Sequence, residues 1–222
     1  MSEGSSPVKL VSVNVGLPRE IVWRGKTVQT SIWKTPVEGS VRVTTLNLQG
    51  DKQSDLSVHG GPDKAVYSYP SEHYVYWRGE LRDTDFPWGV FGENFTTQGL
   101  LEGEVQIGDR LRVGSAEFIV TQPRMPCFKL GIRFGHQDMM KRFLRSGRTG
   151  FYLAVLRKGE VAAGDSIDFV SREKHGVTVA DIVSLYTADA GNQELLRRVT
   201  ELPALPEGWR DYFRKRLCDA DA

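Results

Sequence analysis

Two cysteines occur in the 222 residues, and Cys127 stands in the stretch TQPRMPCFKL (121–130), between Arg124 and Lys129. The thiolate, not the thiol, is the nucleophile and the soft-metal ligand, and neighbouring cations favour it. Pro123 and Pro126 restrict the backbone ahead of the sulfur, which can fix its direction. Cysteine is also among the most frequently buried residue types, as an inert small hydrophobe. The local residues leave both readings open, a thiolate held for chemistry or a filler at a strand end.

Other stretches carry groups that could join it. SVHGGPDKAVYSYP (57–70) sets His59 before Gly60 and Gly61, then Pro62, Asp63 and Lys64. Adjacent glycines expose N–H groups to an anion and Lys64 adds charge, while an ordinary Gly-Pro-Asp turn with a solvated lysine uses the same residues. In VFGENFTTQGL (90–100), Glu93 and Asn94 lie between Phe91 and Phe95. With the phenylalanines facing the core, the polar pair is expected partly on the opposite face. Asn94 there can donate and accept, or serve as a turn asparagine. SGRTGFY (146–152) places Arg148 and Thr149 between glycines, the make-up of a phosphate grip or of a capped helix end. His73, His136 and His175 lack ligand spacing and read as structural or surface residues. Without a C-x-x-C pair, metal binding by cysteine pairs is unsupported.

The elements that must position these residues are mostly strands. Val8–Val15 alternates up to Gly16, SVRVTTLNLQG (40–50) is β-branched, EVQIGDRLRVGSAEFIVTQ (104–122) reads strand, turn, strand, turn, strand, and FYLAVL (151–156) suits a buried strand. GEVQIGDRLRV (103–113) and GEVAAGDSIDFV (159–170) echo each other, which would fit a barrel with internal symmetry or simply two good Gly-Asp turns. Two helices interrupt, one capped by Ser71 and one over 136–147 with Met139, Met140, Phe143 and Leu144 on a core face. After Arg172 helical periodicity takes over. Thr178 and Asp181 form a capping-box-like start for 178–189, and helices over 192–202 and 207–217 follow. This divides the chain into a β domain (1–172) and a small three-helix module (173–222). The module is too small to stand alone, so it docks on the barrel or on a second copy in a homodimer.

Composition bounds the rest. Hydrophobic residues make up 40% of the chain, enough for a real core, and a net charge of +1 argues against a nucleic-acid polymer as partner. There is no run long enough to cross a bilayer and no secretory start in MSEGSSPVKL, so a cytoplasmic place with no membrane partner is expected. A Cys127–Cys218 disulfide is not expected in that compartment, and Cys218 reads as a tail thiol.

The stretches LQGDKQSDLSVHGGPDKAVYSYPSEHYVYW, FGENFTTQGL, IGD, QPRMPCFKL and GRTGFY, in that order, resemble the MOSC domain family, in its YiiM-like branch. The resemblance spans nearly the whole chain, C-terminal helices included. It implies a mainly β fold, a MOSC-type β-barrel with a few short helices plus the three-helix module. It also implies binding of the molybdenum cofactor, a pterin whose dithiolene holds the metal, with Cys127 at the position of the protein's metal ligand. Lys64, Arg124, Lys129, Arg148 and the Gly60–Gly61 backbone become candidates for the pterin phosphate. Asn94, beside Glu93, matches an asparagine of the family's site motif. Active relatives reduce N-hydroxylated compounds, including hydroxylated purine bases and amidoximes, by oxygen-atom transfer to molybdenum. His59 and Asp63 are then the candidate proton donors. No flavin, haem or iron–sulfur motif is visible, so the electrons come from a separate donor protein. The competing reading is a cofactor or sulfur carrier using Cys127, and behind it a plain anion-binding barrel with an inert cysteine.

Overall fold

The computed structural model describes residues 7–54, 60–188 and 191–220. Its centre is an eight-stranded sheet, built from β1 (Lys9–Val15), β4 (Thr35–Pro36), β6 (Val66–Pro70), β7 (Phe95–Gln98), β8 (Arg110–Val113), β9 (Ala116–Pro123), β10 (Phe151–Arg157) and β12 (Ile167–Ser171). The strand order is β12-β8-β9-β10-β6-β7-β1-β4. Beside it lie a hairpin of β2 (Arg19–Trp23) with β3 (Lys26–Thr30) and a short pair of β5 (Val41–Val43) with β11 (Gly159–Val161). Within the large sheet only the β6–β7 pair is parallel. A parallel pair needs a crossover, and α1 (Glu72–Glu80) supplies it.

The expected closed barrel is a curled sheet whose ladder does not run all the way round. Its start and end do approach: Leu10 N–H donates to Asp165 O (2.9 Å), Gly164 N–H to Leu10 O (2.7 Å) and Ile167 N–H to Val8 O (2.9 Å). These bonds, with the isolated Lys9–Ser166 bridge, join the start of β1 to the approach of β12, while the two-residue β4 pairs only with the far end of β1, at Asn14 and Val15.

The strand expectations over 8–15 and 151–156 each agree with β1 and β10 to within one residue. Over 40–50 only Val41–Val43 pairs as a strand, and 104–107 is turn rather than strand, touching Thr178 through one bridge at Gln106. The two Gly-Asp turns are built alike. Gly108 and Gly164 both have φ of 96°, and each following aspartate accepts from the N–H three residues back, Gln106 (2.9 Å) and Ala162 (2.8 Å).

Ser71 does not cap α1. It is already in helical conformation and its hydroxyl turns to Glu72, while its N–H donates to Thr97 O at 2.7 Å. Two short helices follow β9, α2 (Phe128–Phe134) and α3 (Met139–Ser146). The first was not anticipated, being under two turns long with Gly131 inside it. On α3, Met139 and Phe143 are buried as expected, but Met140 is exposed.

The helices α4 (Val179–Thr187), α5 (Gln193–Thr200) and α6 (Glu207–Ala220) pack back on the sheet of the same chain. One apolar cluster runs from Val105, Ile107 and Val120 to Val179, Ile182, Leu196, Val199 and Phe213. A second, aromatic cluster joins Tyr69, Tyr74, Trp77 and Phe91 to Phe134 and Phe143 under α1–α3. Among the described residues no helix is long and apolar enough to cross a membrane.

At the start of α4, Thr178 Oγ1 accepts from Asp181 N–H (3.1 Å) and Asp181 Oδ2 accepts from Thr178 N–H (2.8 Å), a full capping box. Thr178→Ala is expected to cost about 1 kcal/mol in a denaturant melt; an unchanged midpoint would remove the box from the account of how the module is anchored.

Candidate functional site

Pro126 holds the chain extended into Cys127, whose own backbone is extended (φ −121°, ψ 170°) before α2 begins. The thiol is half-buried and lines a pocket of about 590 Å³, mouth included. Its walls come from the end of β3 and the segment after it, from 51–54, from Lys64 and Tyr67, from the turn before β7, and from Arg124, Lys129 and Tyr152.

The two cations expected beside the thiol are both there, and both side chains are buried. Arg124 lies over the rings of Tyr67 (5.5 Å) and Phe143 (5.1 Å). Its Nη1 is buried without a hydrogen-bond partner. Burial pulls its pKa down, but the ionisable groups of Tyr67, Cys127, Tyr152 and Tyr69 more than offset that and leave it above the ordinary arginine value. The Cys127 sulfur and the Arg124 guanidinium are therefore electrostatic neighbours, the arrangement that favours a thiolate. Burial pushes the Tyr152 phenol up, so it keeps its proton at neutral pH.

Residues that the sequence did not single out complete the wall. Lys34 is buried and paired with Asp51. Asp51 also accepts from Gly16 N–H (2.8 Å) and from Asn94 Nδ2 (3.0 Å). Burial lowers the Lys34 pKa against the pull of Asp51. Tyr67 hangs from β6 with its hydroxyl on Thr149 O (2.8 Å). Asp51 and Tyr67 lie inside the long motif that carried the resemblance, whereas Lys34, in SIWKTP, had no local signal.

The other candidates divide. Asn94 lines the pocket, but its amide is committed to protein, donating to Asp51 and to Asn14 O (3.2 Å) and accepting from Tyr67 N–H (3.2 Å). Glu93 is fully buried rather than on an outer face, and it is not in the pocket wall. It accepts from Gly89 N–H (2.8 Å), Phe91 N–H (3.1 Å), Thr96 Oγ1 (3.0 Å) and the Tyr74 hydroxyl, and so builds the turn that carries Asn94. Burial raises its pKa, and those donors pull the other way.

Lys64 ends a 3-10 turn (Pro62–Lys64) entered through Gly61, whose φ of 97° suits glycine, and it lines the pocket. Burial lowers its pKa, with Asp63 pulling it back. Gly60 and Asp63 line a different cavity, between this turn and the C-terminal helices. Arg148 and Thr149 sit behind the pocket. Arg148 lies over Tyr76 (4.0 Å), and the carbonyls of Arg148 and Thr149 receive the Tyr69 (3.2 Å) and Tyr67 hydroxyls. His59 lies outside the described residues. His73, read as structural, is buried against Glu102 at 2.7 Å, and Cys218 is exposed on α6.

The Lys34–Asp51 pair carries the wall. Asp51→Ala strands a buried ammonium, the Gly16 N–H and the Asn94 amide, and is expected to destabilise the fold by about 3–5 kcal/mol. The double variant Lys34→Met/Asp51→Leu should recover the part of that loss due to the stranded ammonium, and not the part due to Gly16 N–H and the Asn94 amide, in the same denaturant titration. A single-variant loss under about 1 kcal/mol would mean the pair is effectively solvated.

Comparison with known proteins agrees with this architecture. A family model for the MOSC domain matches residues 55–168, and one for the YiiM-like, 3-alpha helix domain matches residues 177–218. The chain is 40% identical to YflK of Bacillus subtilis (strain 168) over 207 residues, covering 93% of each. It is 32% identical over 199 residues to a Gibberella moniliformis (strain M3125 / FGSC 7600) protein named Reductase, spanning 88% of this chain but 35% of that one. The crystal structure of YiiM from Geobacillus stearothermophilus superposes with a TM-score of 0.80 at 36% identity, covering 95% of this chain and all 100% of that one. The sheet and the three docked helices are thus those of a known architecture, and the chain belongs to the MOSC domain family, in the branch that carries a YiiM-like 3-alpha helix domain.

Proposed function

We propose that the chain is a reductase of N-hydroxylated compounds, such as hydroxylaminopurines or amidoximes, that works with the molybdenum cofactor and takes electrons from a separate protein. The observation that carries this reading is the charge around Cys127. Among the described residues, the pocket wall holds Lys34, Lys64, Arg124 and Lys129 against the one carboxylate of Asp51. Arg124 Nη1 still lacks a partner. Such a wall suits a strongly anionic guest next to a soft sulfur donor. MOSC membership supports association with the molybdenum cofactor, and the likeness to a protein named Reductase supports redox chemistry.

The residues fit that cofactor. Its metal is already held by dithiolene sulfur, so one soft thiolate, Cys127, is a matched further ligand. Among the described residues no three His, Cys, Asp or Glu side chains come together as a metal cage. The dithiolene and the pterin phosphate are anionic, and Arg124, Lys129 and Lys64 are the cations in reach of the pocket. When bound, the cofactor would supply the two-electron removal of the hydroxylamine oxygen, the net reaction taking two electrons and two protons to amine and water.

The chain's own part is positioning and proton supply. Arg124 would keep the Cys127 sulfur ionised, and the buried ring faces of Tyr67 and Phe91 would keep water from that side of the pocket. Lys64 would protonate the departing nitrogen: it lies in the wall, it is not the lysine paired with Asp51, and burial brings its pKa below the ordinary lysine value. It suits that role better than Asp63, which lines the outer cavity.

Protein made in a host that produces the cofactor should convert benzamidoxime to benzamidine with a chemical reductant, and Cys127→Ala should abolish the conversion. A loaded wild-type protein without turnover would overturn the reductase reading in favour of a carrier. Because a protonated Lys64 is required, the rate should fall as pH rises through the Lys64 pKa, and that limb should flatten in Lys64→Gln. A limb identical in wild type and variant would move the proton donor elsewhere.

A further inference from the structure

A second cavity opens between the Pro62–Lys64 turn and the three-helix module. Trp209 and Tyr212 of α6 and Tyr186 of α4 form its outer side, and Gln122 of β9 forms part of the inner side. The three rings lie together, with centroids 5.7 Å apart for Tyr186–Trp209, 5.6 Å for Tyr186–Tyr212 and 6.4 Å for Trp209–Tyr212. Trp209 stacks on the buried Phe213 at 5.7 Å, and Tyr212 meets the same ring edge-on at 5.1 Å, so both are backed by the core. Tyr186 and Tyr212 remain 42% and 38% exposed, large aromatic surface that the fold itself does not use.

Gln122 is the second, independent sign of a ligand. Its side chain is only 4% exposed. Its Oε1 accepts from Trp209 Nε1 at 2.9 Å, which fixes the orientation of the amide. Its Nε2 is then a buried donor with no partner. Leaving a buried N–H unmade is costly, so a buried orphan in a cavity wall marks a place where a guest can complete the bond. Lys64 lines this cavity and the Cys127 pocket alike, so the two are neighbours across one side chain.

We propose that this groove is a binding subsite for a planar aromatic or heteroaromatic group that bears a hydrogen-bond acceptor. The ring stacks on Tyr212 and Trp209, and the acceptor takes the free N–H of Gln122. Resting on the reductase reading, the group is the aromatic body of the substrate, whose N-hydroxy end lies toward Lys64 and Cys127. The three-helix module then selects substrates by their rings, and Tyr212, Trp209 and Gln122 determine specificity without touching the reacting atoms.

The test uses the full chain and a probe with nothing to reduce. Benzamide offers a ring and a carbonyl acceptor, and acetamide offers the carbonyl alone. The indole N–H signal of Trp209, assigned by its loss in Trp209→Phe, should shift saturably with benzamide and not with acetamide. Tyr212→Ala, at an exposed position, should weaken benzamide binding about tenfold. Gln122→Glu keeps an acceptor for Trp209 and removes the donor, and should weaken it as well, provided a thermal melt shows the variant folded; Tyr212→Ala carries the test if it does not fold. An unmoved Trp209 signal, an equal response to both amides, or unchanged affinity in Tyr212→Ala would overturn the subsite. Since neither amide is N-hydroxylated, these outcomes are independent of whether the reductase reading stands.

Discussion

Asp51 is a buried carboxylate that ties together segments far apart in the chain. It takes the Lys34 ammonium from beyond β3, the Gly16 N–H from the end of β1, and the Asn94 amide from the turn before β7. Asn94 passes the constraint on to β6 through Tyr67 N–H, and thereby sets where the Tyr67 ring meets Arg124. Below, Glu93 collects the loose donors of the same turn and bonds to Tyr74 on α1. Two buried carboxylates thus set the geometry of one wall. Each is surrounded by donors, which is the condition under which a carboxylate can stay buried.

The opposite wall is made differently. Pro126 and the extended Cys127 deliver the thiol at the pocket edge before α2 turns away, and Arg124 is held by ring faces rather than by a carboxylate. One side of the pocket is therefore neutralised internally, by Asp51 on Lys34, while the other keeps cationic capacity facing the sulfur. That asymmetry suits the anionic cofactor of the proposed function, whose charge it would draw toward Cys127.

How much of this could be read from the sequence follows from how local each interaction is. Cys127, Arg124 and Lys129 were legible because one decapeptide contains all three. The capping box of α4 was legible because both partners lie within four positions. Lys34 was not, because its only distinguishing feature is a partner that the sheet brings to it. Glu93 was expected, with Asn94, partly on the face opposite the phenylalanines; standing two positions from both Phe91 and Phe95, it falls on their side instead, and donors from its own tight turn and from α1 let it stay buried there. Ser71 failed as a cap because Thr97 on the neighbouring strand claims its N–H and draws it into the helical turn. The barrel expectation rested on the strands, but how the sheet's ends meet depends on a few bonds between 8–10 and 164–167 that no local pattern announces.

Everything proposed for the site depends on Cys127 holding the metal of a bound cofactor. The direct measurement is molybdenum per chain, in wild type and in Cys127→Ala, purified from a host that makes the cofactor. The account predicts near-stoichiometric metal in the wild type and its loss in the variant, with the fold unchanged by thermal melt. Equal molybdenum in both proteins, or none in the wild type when cofactor supply is verified, would contradict it.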